Sequence, residues 1–219
     1  MHIFRKKKEE KEIDGIKDLK KSLLVSTLLG SLILVIIIWL LILFLIPPIK
    51  GMELPLSRLF FALGCISIAV MLAFFLGDEA VAHERFFSKA FNPLLGYETT
   101  RLKVNLRYLQ NTLEQLLIFI PGTLLLSFYL DNGASMRAIL AITVVWILTR
   151  FAFWVGYHQG SRFRLYGIIG MFQSILVLMY GVARFSFDFF GVTGLILIFL
   201  IFFGIEGYLF SVMKRPGRG

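Results

Sequence analysis

The sequence predicts an all-α integral membrane protein, and its composition and the spacing of its apolar residues both support that prediction. Of the 219 residues, 58% are hydrophobic and only 17% are charged, and the mean hydropathy is +0.80. A soluble domain of this length would be far more polar. The apolar residues gather in runs of about 20, the length that a helix needs to cross a membrane, and they do not alternate as in a β-barrel.

Six apolar runs are long enough to span a membrane, and they lie at 22–46, 56–77, 104–130, 136–158, 164–184 and 188–212. The turn sequences IPPIKG and YLDNG follow the first and third runs, whereas only the polar stretch RFSFD separates the last two. The first run is too long for the apolar region of a signal peptide, so it is predicted to be a retained helix. The charged residues 1–21 before it are predicted to lie on the membrane surface or to be disordered.

Basic residues are concentrated in alternate connections between these runs. The N-terminal tail, residues 78–107, residues 158–164 and the C-terminal tail are rich in Lys and Arg, whereas the other connections hold few. Because basic loops stay in the cytoplasm, both termini are predicted to be cytoplasmic. The net charge of +9 is therefore assigned to anchoring at the membrane surface and not to nucleic-acid binding.

Polar and charged residues recur inside the third run, in the stretch RYLQNTLEQLLIFIP. Arg107, Asn111 and Glu114 are spaced four and three residues apart, so they share one face of a helix. Glu114 lies about 16 Å along the helix from Lys103, near the middle of an apolar core about 30 Å thick. A charge at that depth costs roughly 2.5–3.5 kcal/mol, so it requires a partner or a hydrated cavity.

The fourth run contains a candidate partner for this face. Arg150 lies among apolar residues, Tyr157 follows on the same helix face, and Arg164 comes after them at the mouth of the bundle. Such an arginine-rich pocket suits a small anion that carries carboxylates. A structural interpretation is also open, in which Glu114 and Arg150 form a buried ion pair while Arg107 and Arg164 extend to lipid headgroups. The excess of arginines over acids favours a ligand.

Metal and disulfide chemistry are not predicted. Cys65 is the single cysteine, and it lies among apolar residues where it is expected to pack as a small hydrophobic side chain. His2, His83 and His158 do not have the spacing of a metal-binding motif.

Three stretches resemble the pattern of a known family. RYLQNTLE, residues 107–114, resembles the second-helix signature of the MAPEG family, the membrane-associated proteins in eicosanoid and glutathione metabolism. RFAFWVGYHQGSRFR, residues 150–164, resembles the third helix and following loop, with the spacing of the leukotriene synthase branch. Arg85 and the sequence SKAFNP at 88–93 resemble the end of the first helix in the prostaglandin synthase branch. The resemblance covers about residues 56–184. The sequence NTLEQ, with a proline after it, resembles bacterial members of the family in particular, which implies a bacterial inner membrane as the location.

The resemblance implies a homotrimer of four-helix bundles, here with one additional transmembrane helix at each end, 22–46 and 188–212. Glutathione would bind between neighbouring subunits as the co-substrate. The implied activity is that of a transferase or peroxidase-type enzyme, which activates the glutathione thiol as a thiolate for attack on lipophilic electrophiles. Arg164 would face the sulfur as the catalytic residue. The residues implied to hold glutathione are Arg85, Arg107, Asn111, Glu114, Arg150 and Tyr157.

The sequence departs from the family pattern at three positions. Phe153 stands where the best-known branches have His or Tyr, Gln110 stands where the prostaglandin branch has Arg, and Pro121 lies further past Glu114 than in the animal enzymes. An alternative therefore stays open, a non-catalytic glutathione-binding, structural or regulatory membrane protein on the same scaffold. A transporter would require discontinuous helices or repeat symmetry, which the sequence does not show.

Overall fold

The computed structural model describes the backbone of residues 2–159 and 163–213, with side chains at residue 22, 25–159 and 165–212. These residues form helices joined by short connections. The α-helices are α1 (His2–Leu45), α2 (Pro55–Ala69), α3 (Leu76–Phe86), α4 (Thr100–Tyr129), α5 (Arg137–Gln159) and α6 (Ile168–Met213). A π-helical segment, Val70–Phe75, joins α2 to α3, and the 3-10 segments are Lys89–Phe91, Pro93–Leu95 and Phe163–Gly167.

Five helical stretches in this part of the chain are long and apolar enough to cross a membrane: Val25–Leu45, Pro55–Phe86, Thr100–Tyr129, Arg137–Gln159 and Leu165–Val212. The prediction of an all-α, multi-pass membrane protein is therefore confirmed. The second predicted span ended at residue 77, whereas its helix continues to Phe86. Five of these nine added residues are polar, so they extend the helix beyond the stretch that was predicted to lie in the membrane core.

The break between the last two predicted spans, 164–184 and 188–212, lies at a different position in the structure from the predicted one. The polar stretch expected to divide them is helical, and within it Nη2 of Arg184 and Oδ1 of Asp188 lie 3.8 Å apart across one turn. Both spans therefore lie on the single element α6, which contains 46 residues.

The interruption in α6 falls at Gly191. Its φ of 63° and ψ of −160° are not helical, and glycine is the residue that adopts such a conformation without steric cost. An unbroken helix of this length would extend for about 69 Å, more than twice the thickness of a membrane core. The parts on either side, 168–190 and 192–213, are each about as long as one span.

α1 begins at His2, so residues 2–21 are helical and continuous with the first span. Of the two possibilities considered for this segment, the structure does not support disorder. The helix packs along α5 and α6. Nε1 of Trp39 donates to Oε1 of Gln173 at 2.8 Å, and Nη1 of Arg137 donates to the carbonyl of Ile46 at 3.0 Å. Because the end of α1 meets the beginning of α5, α1 is antiparallel to α5 and parallel to the first part of α6.

The core lies between α2, α4 and α5. Ala62, Ala69 and Ala73 have no exposed surface, and such small side chains let helices approach closely inside a membrane. Phe119 of α4 stacks on Trp146 of α5, with ring centroids 4.7 Å apart. Close packing of these three helices therefore holds α4 in one rotation about its axis.

The two ends of the bundle differ in how their basic residues are used. At one of them, here called the basic end, α3 and α5 end and α4 and α6 begin. Basic residues of this end are Arg85, Lys89, Arg101 and Lys103. At the opposite end Arg58 is buried, and its Nη1 donates to the carbonyls of Met52, Glu53 and Asp131 at 3.1–3.2 Å. Arg58 thus joins two connections, a structural role for a cation.

Candidate functional site

α4 presents two faces of different chemistry. One face is buried in the bundle and includes Asn105 and Tyr108. The other face is exposed and carries three hydrogen-bonded residues. Nη1 of Arg107 donates to Oε1 of Gln110 at 3.1 Å, and Nε2 of Gln110 donates to Oε1 of Glu114 at 3.2 Å. We call Arg107, Gln110 and Glu114 the polar row.

Arg150 lies beside this row, inside the bundle, and is only 2% exposed. Its Nη1 donates to Oδ1 of Asn111 at 2.8 Å, and its Nη2 donates to the carbonyl of Gly167 at 2.9 Å. Its guanidinium carbon lies 5.1 Å from the centroid of the Phe153 ring, within the range of a cation–π contact. One buried cation thus connects α5 to α4 and to the segment 163–167 that leads into α6.

Glu114 and Arg150, which a structural interpretation of the sequence would pair, do not form an ion pair. Glu114 is exposed in the polar row, and the amide oxygen of Asn111 accepts the guanidinium in its place. An amide acceptor satisfies the buried donor without the cost of burying a carboxylate beside it. The carboxylate of Glu114 therefore faces outward.

Tyr157 and Arg164 extend the site toward the basic end. The ring of Tyr157 stacks on that of Phe153, with centroids 5.7 Å apart, so Phe153 lies between Arg150 and Tyr157. The backbone of Arg164 lies in the 3-10 segment Phe163–Gly167, which is bonded to Arg150. The side chain of Arg164 lies outside the described residues.

Arg85 lies on a different helix, α3, from the other predicted ligands. It is half-buried in the last turn of α3, and among the described residues its side chain makes no hydrogen bond or ion pair with Asn111, Arg150 or the polar row. The structure therefore brings Asn111 and Arg150 into contact and sets the polar row on the same helix as Asn111, but it shows no polar contact between Arg85 and these residues.

A cavity of about 380 Å³ adjoins the polar row at the basic end. Its lining residues are Glu98, Lys103, Leu106, Arg107 and Gln110. The cavity and the row are open on the outer surface of a membrane-spanning helix, where contact with lipid is costly for charged groups. This face therefore requires water or another protein surface against it.

A second polar cluster lies on the opposite face of α4, and the sequence-based predictions do not include it. Oδ1 of Asn105 accepts a hydrogen bond from Nε1 of Trp154 at 2.9 Å and lies 2.9 Å from Nε2 of His158. These residues line a cavity of about 360 Å³ together with His83 and Arg101. The signal for this cluster was a second asparagine in the same apolar helix.

Tyr108 connects this cluster to the π-helical segment. Its ring stacks on Trp154 with centroids 4.7 Å apart, and its hydroxyl donates to the carbonyl of Ala73 at 2.7 Å. A Cβ atom at Gly77 would lie 2.6 Å from Cε1 of Tyr108, so glycine at that position makes room for the ring. π-helical turns are frequent near functional sites, and this one supplies the acceptor that holds Tyr108.

Comparison with known proteins relates this arrangement to a family. The chain is 37% identical over 75 residues to an uncharacterized protein of Synechocystis sp., sll1147. That match covers 34% of this chain and 52% of the Synechocystis protein, so the chain spans about half the length of this curated relative. No solved structure matches the chain. The sequence model of the MAPEG family matches residues 59–184, more than half of the chain, and the protein therefore belongs to the MAPEG family.

Proposed function

We propose that this protein is a membrane-bound glutathione-dependent transferase or peroxidase-type enzyme that acts on lipophilic electrophiles. Its family includes glutathione transferases and related membrane enzymes. The observation that carries the proposal is the bonding of Arg150, whose buried guanidinium holds Asn111 beside the segment that bears Arg164. Residues assigned to glutathione and to its thiol thus lie on adjoining elements.

The proposed ligands match the chemistry of glutathione, which carries carboxylates, an ammonium group and peptide groups. Glu114 faces outward with its carboxylate available for the ammonium group, and Arg107 beside it suits a carboxylate. Asn111 supplies an amide for the peptide groups. The remaining proposed ligands are Arg85, Arg150 and Tyr157.

Arg164 is the proposed catalytic residue because an adjacent guanidinium stabilises a thiolate. A free thiol has a pKa of about 8.5 and is mostly protonated at neutral pH, so this stabilisation raises the fraction of nucleophile. The thiolate attacks an electrophilic carbon, forms the C–S bond and displaces a leaving group with its electron pair. On a hydroperoxide it attacks the terminal peroxide oxygen instead, the O–O bond breaks, and the alkoxide leaves and takes a proton to become the alcohol. The sulfenic acid formed on sulfur then condenses with a second glutathione to give the disulfide and water. Exclusion of water strengthens each of these charge interactions.

The proposed active unit is a homotrimer with its sites between subunits. The polar row and its cavity are exposed in a membrane-spanning helix, and a neighbouring copy would remove these charged groups from contact with lipid. Arg85, for which the described residues show no hydrogen bond or ion pair with Asn111, Arg150 or the polar row, would enter the site from an adjacent copy. The basic end would face the cytoplasm, where the positive-inside rule places it.

Thermal unfolding of the purified trimer with glutathione tests the proposal. A ligand that binds only the folded state stabilises it, by about 2.7 kcal/mol at a hundred times its Kd. Glu114→Gln is expected to reduce the shift, and Glu206→Gln, an exposed carboxylate on α6, serves as the control. Arg164→Ala is expected to abolish the ultraviolet absorbance of the bound thiolate. If millimolar glutathione produces neither a thermal shift nor thiolate absorbance in the unmodified protein, the proposal is wrong.

A non-catalytic glutathione-binding protein on the same scaffold is the second candidate, and Phe153 favours it. The Phe153 ring is held between Arg150 and Tyr157, and it offers no proton donor or acceptor where other branches have His or Tyr. This candidate predicts a thermal shift with glutathione but no turnover of a panel of electrophiles and hydroperoxides. Turnover that is lost in Arg164→Ala would exclude it.

A further inference from the structure

An apolar groove of about 610 Å³ runs between α1 and the first part of α6. Its walls include Ile36, Phe172 and Leu176, which are 48%, 52% and 65% exposed. Val35 is buried and forms part of the floor. Along α1 the groove covers residues 32–40, a length of about 12 Å at the rise of an α-helix.

The polar side chains in this groove are hydrogen-bonded within the bundle. Its amide residue, Gln173, is engaged through both of its polar atoms, since Oε1 accepts from Nε1 of Trp39 at 2.8 Å and one N–H of Nε2 donates to the carbonyl of Ile142 at 3.0 Å. The indole N–H of Trp39 is engaged as well, because it is the donor of the first of these two hydrogen bonds. The other lining residues are apolar, so the groove suits an alkyl chain and disfavours a polar headgroup.

One end of the groove adjoins the candidate site. Ile169 lines this end and lies two residues after Gly167, whose carbonyl accepts a hydrogen bond from Arg150. Because α1 is parallel to the first part of α6, the end near residue 32 faces the basic end as well. The segment that carries Arg164 leads into α6, so the head of a chain lying in the groove would point toward that segment.

We propose that this groove binds the alkyl chain of the lipophilic electrophile and presents its reactive head to the thiol at the basic end. The inference rests on the proposed function and adds two things to it. The first is a substrate class, a linear long-chain electrophile that enters sideways from the bilayer. The second is a role for α1, which lies outside the residues 59–184 that match the family.

The bilayer is the source of the occupant because both walls lie within membrane-spanning helices, Val25–Leu45 and Leu165–Val212. A helix from a second copy of the chain would need a contact along most of the membrane core, about 30 Å. The groove extends for only about 12 Å, which is suitable for an alkyl chain and too short for a spanning helix.

An α,β-unsaturated aldehyde illustrates the reaction step. The thiolate sulfur donates an electron pair to the β-carbon, the C–S bond forms, and the π electrons move to the carbonyl oxygen as an enolate. The α-carbon then takes a proton from water, which balances the proton that the thiol released. Glutathione is the single co-reactant.

Two matched tryptophan substitutions test the groove. Leu176 lies in it, whereas Leu200 lies in the part of α6 beyond Gly191, and both side chains are 65% exposed. Each variant is compared with the unmodified protein for glutathione conjugation of a short-chain and a long-chain 2-alkenal. Each aldehyde partitions into the membrane to the same extent in both assays. The kcat/KM of the variant divided by that of the unmodified protein therefore does not depend on this partitioning.

Leu176→Trp is expected to lower kcat/KM for the long chain by about tenfold and to change that for the short chain by less than about twofold, because the ring displaces several methylene groups. Leu200→Trp is expected to change neither. An equal loss for both chain lengths in Leu176→Trp, or a long-chain loss in Leu200→Trp, overturns the proposal.

A photoreactive diazirine at the end of the long-chain aldehyde gives a measurement that does not depend on turnover. The label is expected on 32–40 and 169–177 and is expected to be displaced by the unlabelled long-chain aldehyde. A label spread evenly over the exposed residues 192–212 overturns the proposal. Failure of the proposed function appears separately, as no glutathione-induced thermal shift and no short-chain turnover in the unmodified protein, and it overturns both.

Discussion

Arg150 shows how a single side chain organises the candidate site. A guanidinium stays protonated in proteins, so its burial is costly unless its donors are satisfied. Asn111 and the carbonyl of Gly167 each accept one hydrogen bond, and the ring of Phe153 lies against the guanidinium. The cation therefore fixes the relative positions of three segments that carry proposed ligands.

Removal of the Asn111 acceptor is predicted to destabilise the protein. Asn111→Ala leaves a buried charged donor unpaired, and the expected loss is about 1.5–3 kcal/mol in the free energy of unfolding. Glu114→Gln, an exposed change in the same helix that keeps an acceptor for Gln110, is expected to change stability by less than about 0.5 kcal/mol. Reversible unfolding of the ligand-free protein in detergent micelles measures both, and equal stability of the two variants would contradict the bonding seen for Arg150.

Tyr108 is the second residue whose polar group is predicted to matter. Tyr108→Phe keeps the stack on Trp154 but leaves the buried carbonyl of Ala73 without its donor, so a loss of about 1–3 kcal/mol in unfolding free energy is expected. Tyr208→Phe, at a 66% exposed position on α6, is the control and should have little effect. The same unfolding measurement compares the two, and a neutral Tyr108→Phe would show that another donor replaces the hydroxyl.

At the scale of elements, glycine allows helices to approach each other. A Cβ atom at Gly170 of α6 would overlap Oγ1 of Thr149 on α5, and one at Gly122 of α4 would lie 3.1 Å from the backbone nitrogen of Leu178. Inside a membrane, helix association depends on such close packing because lipid offers no hydrophobic driving force between helices. α6 is thereby held against both α4 and α5.

Gly170→Ala is predicted to destabilise the bundle although alanine is the better helix former. The added methyl group forces α5 and α6 apart, and overpacking typically costs about 1–3 kcal/mol. Gly207→Ala on the same helix has open space around it and is expected to be neutral or to gain up to about 1 kcal/mol from helix propensity. Thermal unfolding of the two variants should therefore shift in different directions, and a stabilising Gly170→Ala would mean that the α5–α6 contact is looser than described.

At the scale of the whole molecule, Gly191 decides how many times the chain can cross the membrane. The residues beyond it, 192–212, are mostly exposed and apolar, as expected of a helix surrounded by lipid. If 192–213 forms its own span, the chain crosses six times, in agreement with the distribution of basic residues.

Topology reporters fused to the two termini test this arrangement. Both reporters are expected to be active on the cytoplasmic side, because an even number of crossings returns the chain to the side from which it started. A C-terminal reporter on the opposite side of the membrane from an N-terminal one would show that 192–213 does not cross.

Much of the architecture follows from local sequence because the membrane imposes a simple rule on each segment separately. A helix satisfies its own backbone hydrogen bonds, so the length of an apolar run suffices to predict a span. The same reasoning put the boundary between the last two spans at the polar stretch 184–188, whereas the non-helical residue in the structure is Gly191. Polar residues do not break a helix when they pair across one turn, as Arg184 and Asp188 do.

The composition and periodicity of the sequence by themselves determined an all-α membrane protein with Arg107, Asn111 and Glu114 on one side of a single helix. Only the tertiary structure decided that Arg150 bonds Asn111 and a backbone carbonyl in preference to Glu114, that Asn105 gathers Trp154 and His158, and that α1 lies parallel to α6 with a groove between them. The physical reason is that periodicity fixes which residues share a face of one helix, whereas contacts between helices depend on the rotation of each helix about its axis. That rotation is set by the packing of small residues such as Ala73 and Gly170.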